Sequence, residues 1–181
     1  MNRYKFLLDN LPSAGSREII GFFPFGTLID TKNTSIKNQQ LHFLEEGVQF
    51  LEKLATKNTS IVLFFNQFKP PVAANELEAF TSAVADFVTK QGISVIGPYW
   101  CPGIDKRDPF VVPNPGMFHR VTENTGISWE GIPVISSNEL DLTAAAKVKA
   151  SPIKIGGNRT NAKWNTYESL DEWLNSLVVK A

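Results

Sequence analysis

The chain has 181 residues, 43% of them hydrophobic, a length and composition that suit one packed domain, expected over 1–181 with 1–16 as an N-terminal extension. Its 18 basic and 18 acidic side chains cancel, so no overall field draws it to nucleic acid or an anionic membrane, and no apolar run reaches the ~18 residues of a membrane span. The single cysteine, Cys101, excludes an internal disulfide framework and an all-cysteine zinc site.

The elements alternate along the chain. "REIIGFF" (17–23) reads as a buried strand, and "LHFLEEGVQFLEKLA" (41–55) as a helix with Leu44, Val48, Leu51 and Ala55 on one face. "SIVLFF" (60–65) is a continuous apolar run, as in a strand covered on both sides. A helix over 75–91 follows, capped by Asn75 with Glu78 three residues on, striped by Leu77, Phe80, Val84, Phe87 and Val88, and stopped by Gly92. "ISVIGPYW" (93–100) is the third strand. Asn114 as cap and Pro115 at the first helical position open a helix that closes at Gly126. "IPVIS" (132–136) is the fourth strand, and Asn138 caps a short helix through Ala146 with Asp141 in its first turn. "SPIKIG" (151–156) is the fifth strand, and Ser169-x-x-Glu172 opens a last helix carrying Leu170, Trp173, Leu174 and Leu177.

Strands alternating with helices predict an α/β fold: a three-layer, Rossmann-like, mainly parallel five-stranded sheet with helices on both faces. Such folds form their sites at the carboxyl ends of strands, so the residues just past each strand are the informative ones. The pentapeptide "TKNTS" occurs at 31–35 and 56–60, but its flanks share nothing, so both copies read as polar loops. The opening "MNRYKFLLDNLPSAG" has too short an apolar stretch for a signal peptide, and a cytoplasmic location is expected. The N-x-[ST] triplets at Asn33, Asn58 and Asn158 then read as surface loops.

Five segments at element boundaries share one likeness: "FFPFGTLI", "IVLFFNQ", "YWCP" (99–102), "VPNPGM" (112–117) and "VISSNELDLTAAA" (134–146). In this order the chain resembles the haloacid-dehalogenase superfamily of phosphatases, in particular the branch with heptose-bisphosphate and histidinol-phosphate phosphatases. The resemblance runs from about residue 17 to 178. It implies a HAD-like fold, and it also implies a set of working groups that this chain does not carry. The family's attacking aspartate and its acid–base aspartate fall on Phe23 and Phe25. Its phosphoryl-holding hydroxyl falls on Phe65, its lysine on Val112, and the acid that helps hold magnesium on Ser137. The glycine before that acid is Ser136, and Asp141 alone keeps an acidic group. The branch's zinc loop is matched by Cys101 alone, and the loop is expected to fold by packing of Pro102, Pro109 and Pro113.

The expectation from these residues is a protein that is not an enzyme: an inactive phosphatase-like module, with no cofactor and no metal, that binds an unidentified protein partner or serves structurally. Self-association is left open. The alternatives are a small-ligand-binding domain using the altered apolar cleft, or a phosphatase-family enzyme with residual or changed activity. The degenerate positions Phe23, Phe25, Phe65, Asn66, Val112, Ser137 and Asp141 are the candidate site. Phe23, Phe25 and Phe65 either pack together and fill the cleft or line an apolar pocket.

Plainer roles are assigned to the remaining residues. Asn66 and Gln67 serve turn hydrogen bonds, Asp30 caps or turns the chain after the first strand, and Asp141 is a first-turn helix acid. His42 and His119 fall on helices away from the strand ends, and Lys106 and Arg107 lie in a solvated loop. "FKPPVAAN" (68–75) is a stiff segment beside the site, and Trp164, in a polar stretch, folds back to the core or marks an interface.

Overall fold

A computed structural model describes residues 18–66, 72–101, 103–157, 159 and 163–178. Gln67, most of the proline-rich segment after it, Pro102, Asn158 and the 1–16 extension lie outside the described residues. The strands are β1 (Glu18–Phe22), β2 (Thr59–Phe65), β3 (Ser94–Trp100), β4 (Pro133–Ser136), β5 (Ser151–Ile155) and β6 (Asn165–Tyr167). The helices are α1 (Glu45–Ala55), α2 (Ala74–Lys90), α3 (Gly116–Thr125), α4 (Glu139–Lys147) and α5 (Leu170–Val178).

All six strands lie in one sheet, ordered β3-β2-β1-β4-β5-β6, with every neighbouring pair parallel. The α/β architecture is the one the alternation predicts, with one strand more than the five expected. The extra strand is "NTY", three residues paired to β5 through Ile155 and Tyr167. A run that short carries no periodicity for a sequence to display.

Side chains of β2 show how the two faces are built. Ile61, Leu63 and Phe65 enter one buried cluster, with Phe50, Leu51 and Leu54 of α1, Phe80 and Val84 of α2, and Trp173 of α5. Val62 and Phe64 enter the other, with Met117, Phe118 and Val121 of α3 and Ala144 and Ala145 of α4. The strand period of two thus sends alternate residues to opposite layers. All seven residues of β2 are buried, which is why it reads as one unbroken apolar run. Among the described residues no helix is long and apolar enough to cross a membrane.

Several helix starts differ from expectation, each for a local reason. α1 begins at Glu45, because 41–44 are held extended: Asp30 N donates to the carbonyl of His42 and Leu44 N to that of Leu28. His42 therefore lies before the helix and is exposed. The buried face of α1 is Gly47, Phe50, Leu51 and Leu54, rotated from the expected stripe. A Cβ on Gly47 would come within 2.6 Å of Leu28 Cα, so glycine lets the helix lie against the 27–28 backbone. α2 is capped at Ala73, whose N–H donates to Glu76 Oε2, and not at Asn75. Asn114 caps no helix either. Its side-chain amide turns back to donate to the carbonyls of Lys106 and Asp108, each at 2.9 Å, and Pro115 takes the cap position.

Other expectations hold. Asn138 Oδ1 accepts from Leu140 N at 2.9 Å as the cap of α4. Ser169 Oγ accepts from Glu172 N at the start of α5. Asp30 turns the chain after β1, accepting from Lys32 N and from the Asn33 side chain, and these bonds hold its carboxyl below the usual range.

Candidate functional site

Beyond Phe22 the chain leaves the sheet by a tight turn. The carbonyl of Pro24 accepts from the amides of Thr27, Leu28 and Ile29. This turn splits the two phenylalanines. Phe23 goes to the α3–α4 face, stacking on Phe64 with centroids 5.1 Å apart, while Phe25 goes to the opposite face. There Phe25 lies parallel to Phe80 at 6.0 Å and meets the edge of Phe65 at 5.9 Å. Phe23, Phe25 and Phe65 therefore do not form one plug.

What remains at the strand ends is a cavity of about 690 Å³. Phe23, Phe25, Asn66, Ser137 and Asp141 line it. Phe65 and Val112, also expected at the site, do not: both are fully buried in the packing beneath it, one on each face of the sheet.

The outer wall comes from the segment that includes 31–35, expected to be a polar loop. Ser35 and Gln40 exchange backbone hydrogen bonds, and the Asp30 amide bonds to His42, so 30–42 folds as a hairpin. Gln39 Nε2 ties its tip to the carbonyl of Glu76 in α2. The hairpin brings Thr31, Thr34, Ser35, Ile36 and Lys37 to the cavity, and Gly26, Val72 and Asn138 complete the described lining. The paired amides and the polar turn "KNQQ" are the only sequence signal for it, and polar hairpins lack the apolar alternation that marks a strand pair.

Asp141 is the centre of the polar part. It sits in the first turn of α4, as expected, but it is only 3% exposed. Its Oδ1 accepts from Asn66 Nδ2 and its Oδ2 from Ser136 Oγ, both at 2.7 Å. Ser136 Oγ in turn accepts from Asn138 N at 2.9 Å. Asn66 thus reaches across to α4 and does more than serve a turn. Burial pushes the Asp141 carboxyl up to about 7, against the two hydrogen bonds, which pull it down. Burial outweighs the two hydrogen bonds, because the charged form loses its hydration there.

Ser137 Oγ donates to the carbonyl of Phe25 at 3.0 Å, fastening the turn after β1 to the end of β4. Gly26 in that turn has φ +76, and a Cβ there would come within 2.5 Å of Ser137 Oγ. Glycine is needed on both counts.

The donor set does not fit a magnesium ion. Among the described lining residues Asp141 is the one carboxylate, both its oxygens are engaged, and the nearby walls are the rings of Phe23 and Phe25. A hard cation wants several clustered oxygens. Among the described residues no group of three or more His, Cys, Asp or Glu is placed to hold a metal. Cys101 is buried, and burial pushes its thiol up.

The histidines stay out of the site: His119 is exposed on α3. Arg107 pairs with Asp105 in the exposed 104–107 loop, as a solvated loop should. Trp164 has Lys163 Nζ over its ring at 4.5 Å.

No protein-family model matches the chain, and no curated protein is found to match its sequence. Solved structures do match its fold. A D,D-heptose bisphosphate phosphatase from B. bronchiseptica, complexed with magnesium and phosphate, superposes with a TM-score of 0.74 at 19% identity, covering 91% of this chain and 99% of that one. A HAD-like phosphatase from Mesorhizobium loti gives 0.68 at 14% identity, covering 90% and 85%. The L-2-haloacid dehalogenase of Xanthobacter autotrophicus gives 0.61 at 12% identity, covering 92% and 100%. The fold is therefore the HAD-like one that the five sequence segments imply.

These neighbours also correct the expectation that the chain is not an enzyme. They are phosphatases and a dehalogenase, so the fold is one that enzymes use and gives no ground for a chain that is not an enzyme. Phenylalanine at 23 and 25 supplies no nucleophile at those positions, but that bears on one chemical route. It does not bear on acid–base chemistry by a carboxyl group elsewhere in the cleft.

Proposed function

We propose that this HAD-like protein is an enzyme that binds a small molecule in the cleft beyond β1, β2 and β4 and acts on it by proton transfer through Asp141. One observation carries the reading: a carboxyl group held at about 7 lies buried in the wall of an open cavity. The cavity is at the strand ends, where α/β folds place their sites. Perturbed carboxyl groups cluster at functional sites, because a group that titrates near neutrality can both give and take a proton.

The surrounding residues suit this role. Asn66 and Ser136 hold the two oxygens in fixed directions, and Ser136 is itself fixed by the Asn138 amide. Phe25, backed by Phe80 and Phe65, makes a rigid apolar wall that excludes water from one side. The enzymes that share the fold support an enzymatic reading, and the phenylalanines at 23 and 25 favour a route without an aspartyl-phosphate.

The test is turnover followed by proton NMR in heavy water, from about pH 5 to about pH 9, with phosphate monoesters, carboxylic esters and compounds bearing an acidic C–H beside a carbonyl. At least one class should be converted or exchanged, with a rate that changes around pH 7. In Asp141→Asn the rate should fall by about a hundredfold or more. Absence of conversion in every class, or conversion that Asp141→Asn leaves intact, contradicts the proposal.

A further inference from the structure

The cleft's walls differ in what they still have to offer a ligand. Most neutral polar groups on them are already committed. Thr34 Oγ1 and Ser137 Oγ donate to the carbonyls of His42 and Phe25, while Ser35 Oγ accepts from Asn38 N and keeps its own hydrogen. Asn66 and Asn138 are engaged with Asp141 and Leu140. Lys37 is different. Its side chain lines the cavity, it is the one basic residue among the described lining, and no ion pair is formed by it among the described residues. The apolar lining is Phe25, Ile36 and Val72, with the Phe25 ring parallel to that of Phe80.

We infer that the ligand is a small carboxylate with a flat, apolar body, its charge met by Lys37 and its body laid against Phe25 and Val72. The inference rests on the reading of this cleft as the functional site, and it adds the ligand class. A single ammonium matches a monoanion. A phosphate dianion is best met by several charged donors, and among the described lining Lys37 is the one cation. The apolar wall adds the usual gain for covering exposed hydrocarbon, so a bare anion such as acetate or phosphate uses only half of the site.

The probes are phenylacetate, its neutral counterpart phenylacetamide, and inorganic phosphate, each titrated into the full chain at about pH 6 by calorimetry and by amide NMR shifts. Phenylacetate should bind about fivefold tighter than phenylacetamide, the upper end for an ion pair to an exposed lysine. Lys37→Met should abolish that preference while leaving phenylacetamide binding unchanged, and Phe25→Ala should weaken both. The inference is overturned by equal binding of the two, by a preference that survives Lys37→Met, by tighter binding of phosphate, or by binding of none of them to folded protein. Its failure is separable from failure of the proton-transfer reading. Carboxylate selectivity without Asp141-dependent turnover sinks only the latter. Asp141-dependent turnover of neutral substrates without carboxylate selectivity sinks only the inference.

Discussion

Asn66 and Asp141 stand 75 positions apart in the chain and are joined by a 2.7 Å hydrogen bond, from the amide nitrogen of one to Oδ1 of the other. The bond ties the end of β2 to the first turn of α4. With Ser136 on the second oxygen, it keeps a nearly buried carboxyl group in one orientation.

Burial of that group makes stability depend on pH. The folded value of about 7 lies above the ordinary 3.8, so between these limits the folded chain keeps a proton that the unfolded chain has lost. The contribution of Asp141 is fully present below about pH 4, falls as pH rises through about 7, and is flat above. The size is on the order of a few kcal/mol. Asp141→Asn should flatten this slope and make the variant more stable than the parent at about pH 8, while the two differ little near pH 4. Urea denaturation at several pH values reads both.

The rings at the strand ends hold the fold together. Phe23 is 2% exposed and Phe65 fully buried. Replacing them as Phe23→Asp, Phe25→Asp and Phe65→Thr removes packing worth ~3–5 kcal/mol per ring truncated and sets two carboxyl groups into apolar packing. The triple variant should be insoluble or melt far below the parent. A well-folded triple variant, seen by thermal melting and NMR dispersion, would show that the strand ends are more tolerant than their burial implies.

Gly26 and Ser137 form a second, steric couple. Gly26→Ala faces both a φ of +76 and a Cβ at 2.5 Å from Ser137 Oγ. The backbone part costs about 1–2 kcal/mol, and the contact adds to it. Adding Ser137→Ala removes the contact but not the backbone strain. A double-mutant cycle should therefore show a favourable coupling, with the double variant less destabilised than the two single changes sum to. Simple additivity would mean that the turn relaxes away from Ser137.

The sheet was legible because its strands are apolar runs bounded by caps. β2 and the Asn138 cap of α4 stand where they read. The five ordered segments also led to the HAD-like fold that the solved structures share. The site was legible in part. Phe23, Phe25, Asn66, Ser137 and Asp141 do line the cavity, because residues just past parallel strands gather at one edge. Phe65 and Val112 do not, since a place near a strand end or in the loop before a helix does not say whether a side chain enters the cavity or the packing beneath it. The 30–42 hairpin and Lys37 were missed because the segment is polar, and its pairing is specified by backbone hydrogen bonds. The Asn66–Asp141 bond was missed because nothing local links residues that far apart. For the same reason Asp141 looked like an ordinary first-turn acid.

Proton transfer in this cleft depends on the state of one carboxyl group. The most direct measurement is a carbon-13 NMR titration of the Asp141 side-chain carboxyl, assigned by its loss in Asp141→Asn. A midpoint at about 7, far above its ordinary 3.8, is the predicted result. A midpoint at or below that ordinary value would show a carboxylate ionised throughout the neutral range, and would contradict the proposal that Asp141 moves protons in this cleft.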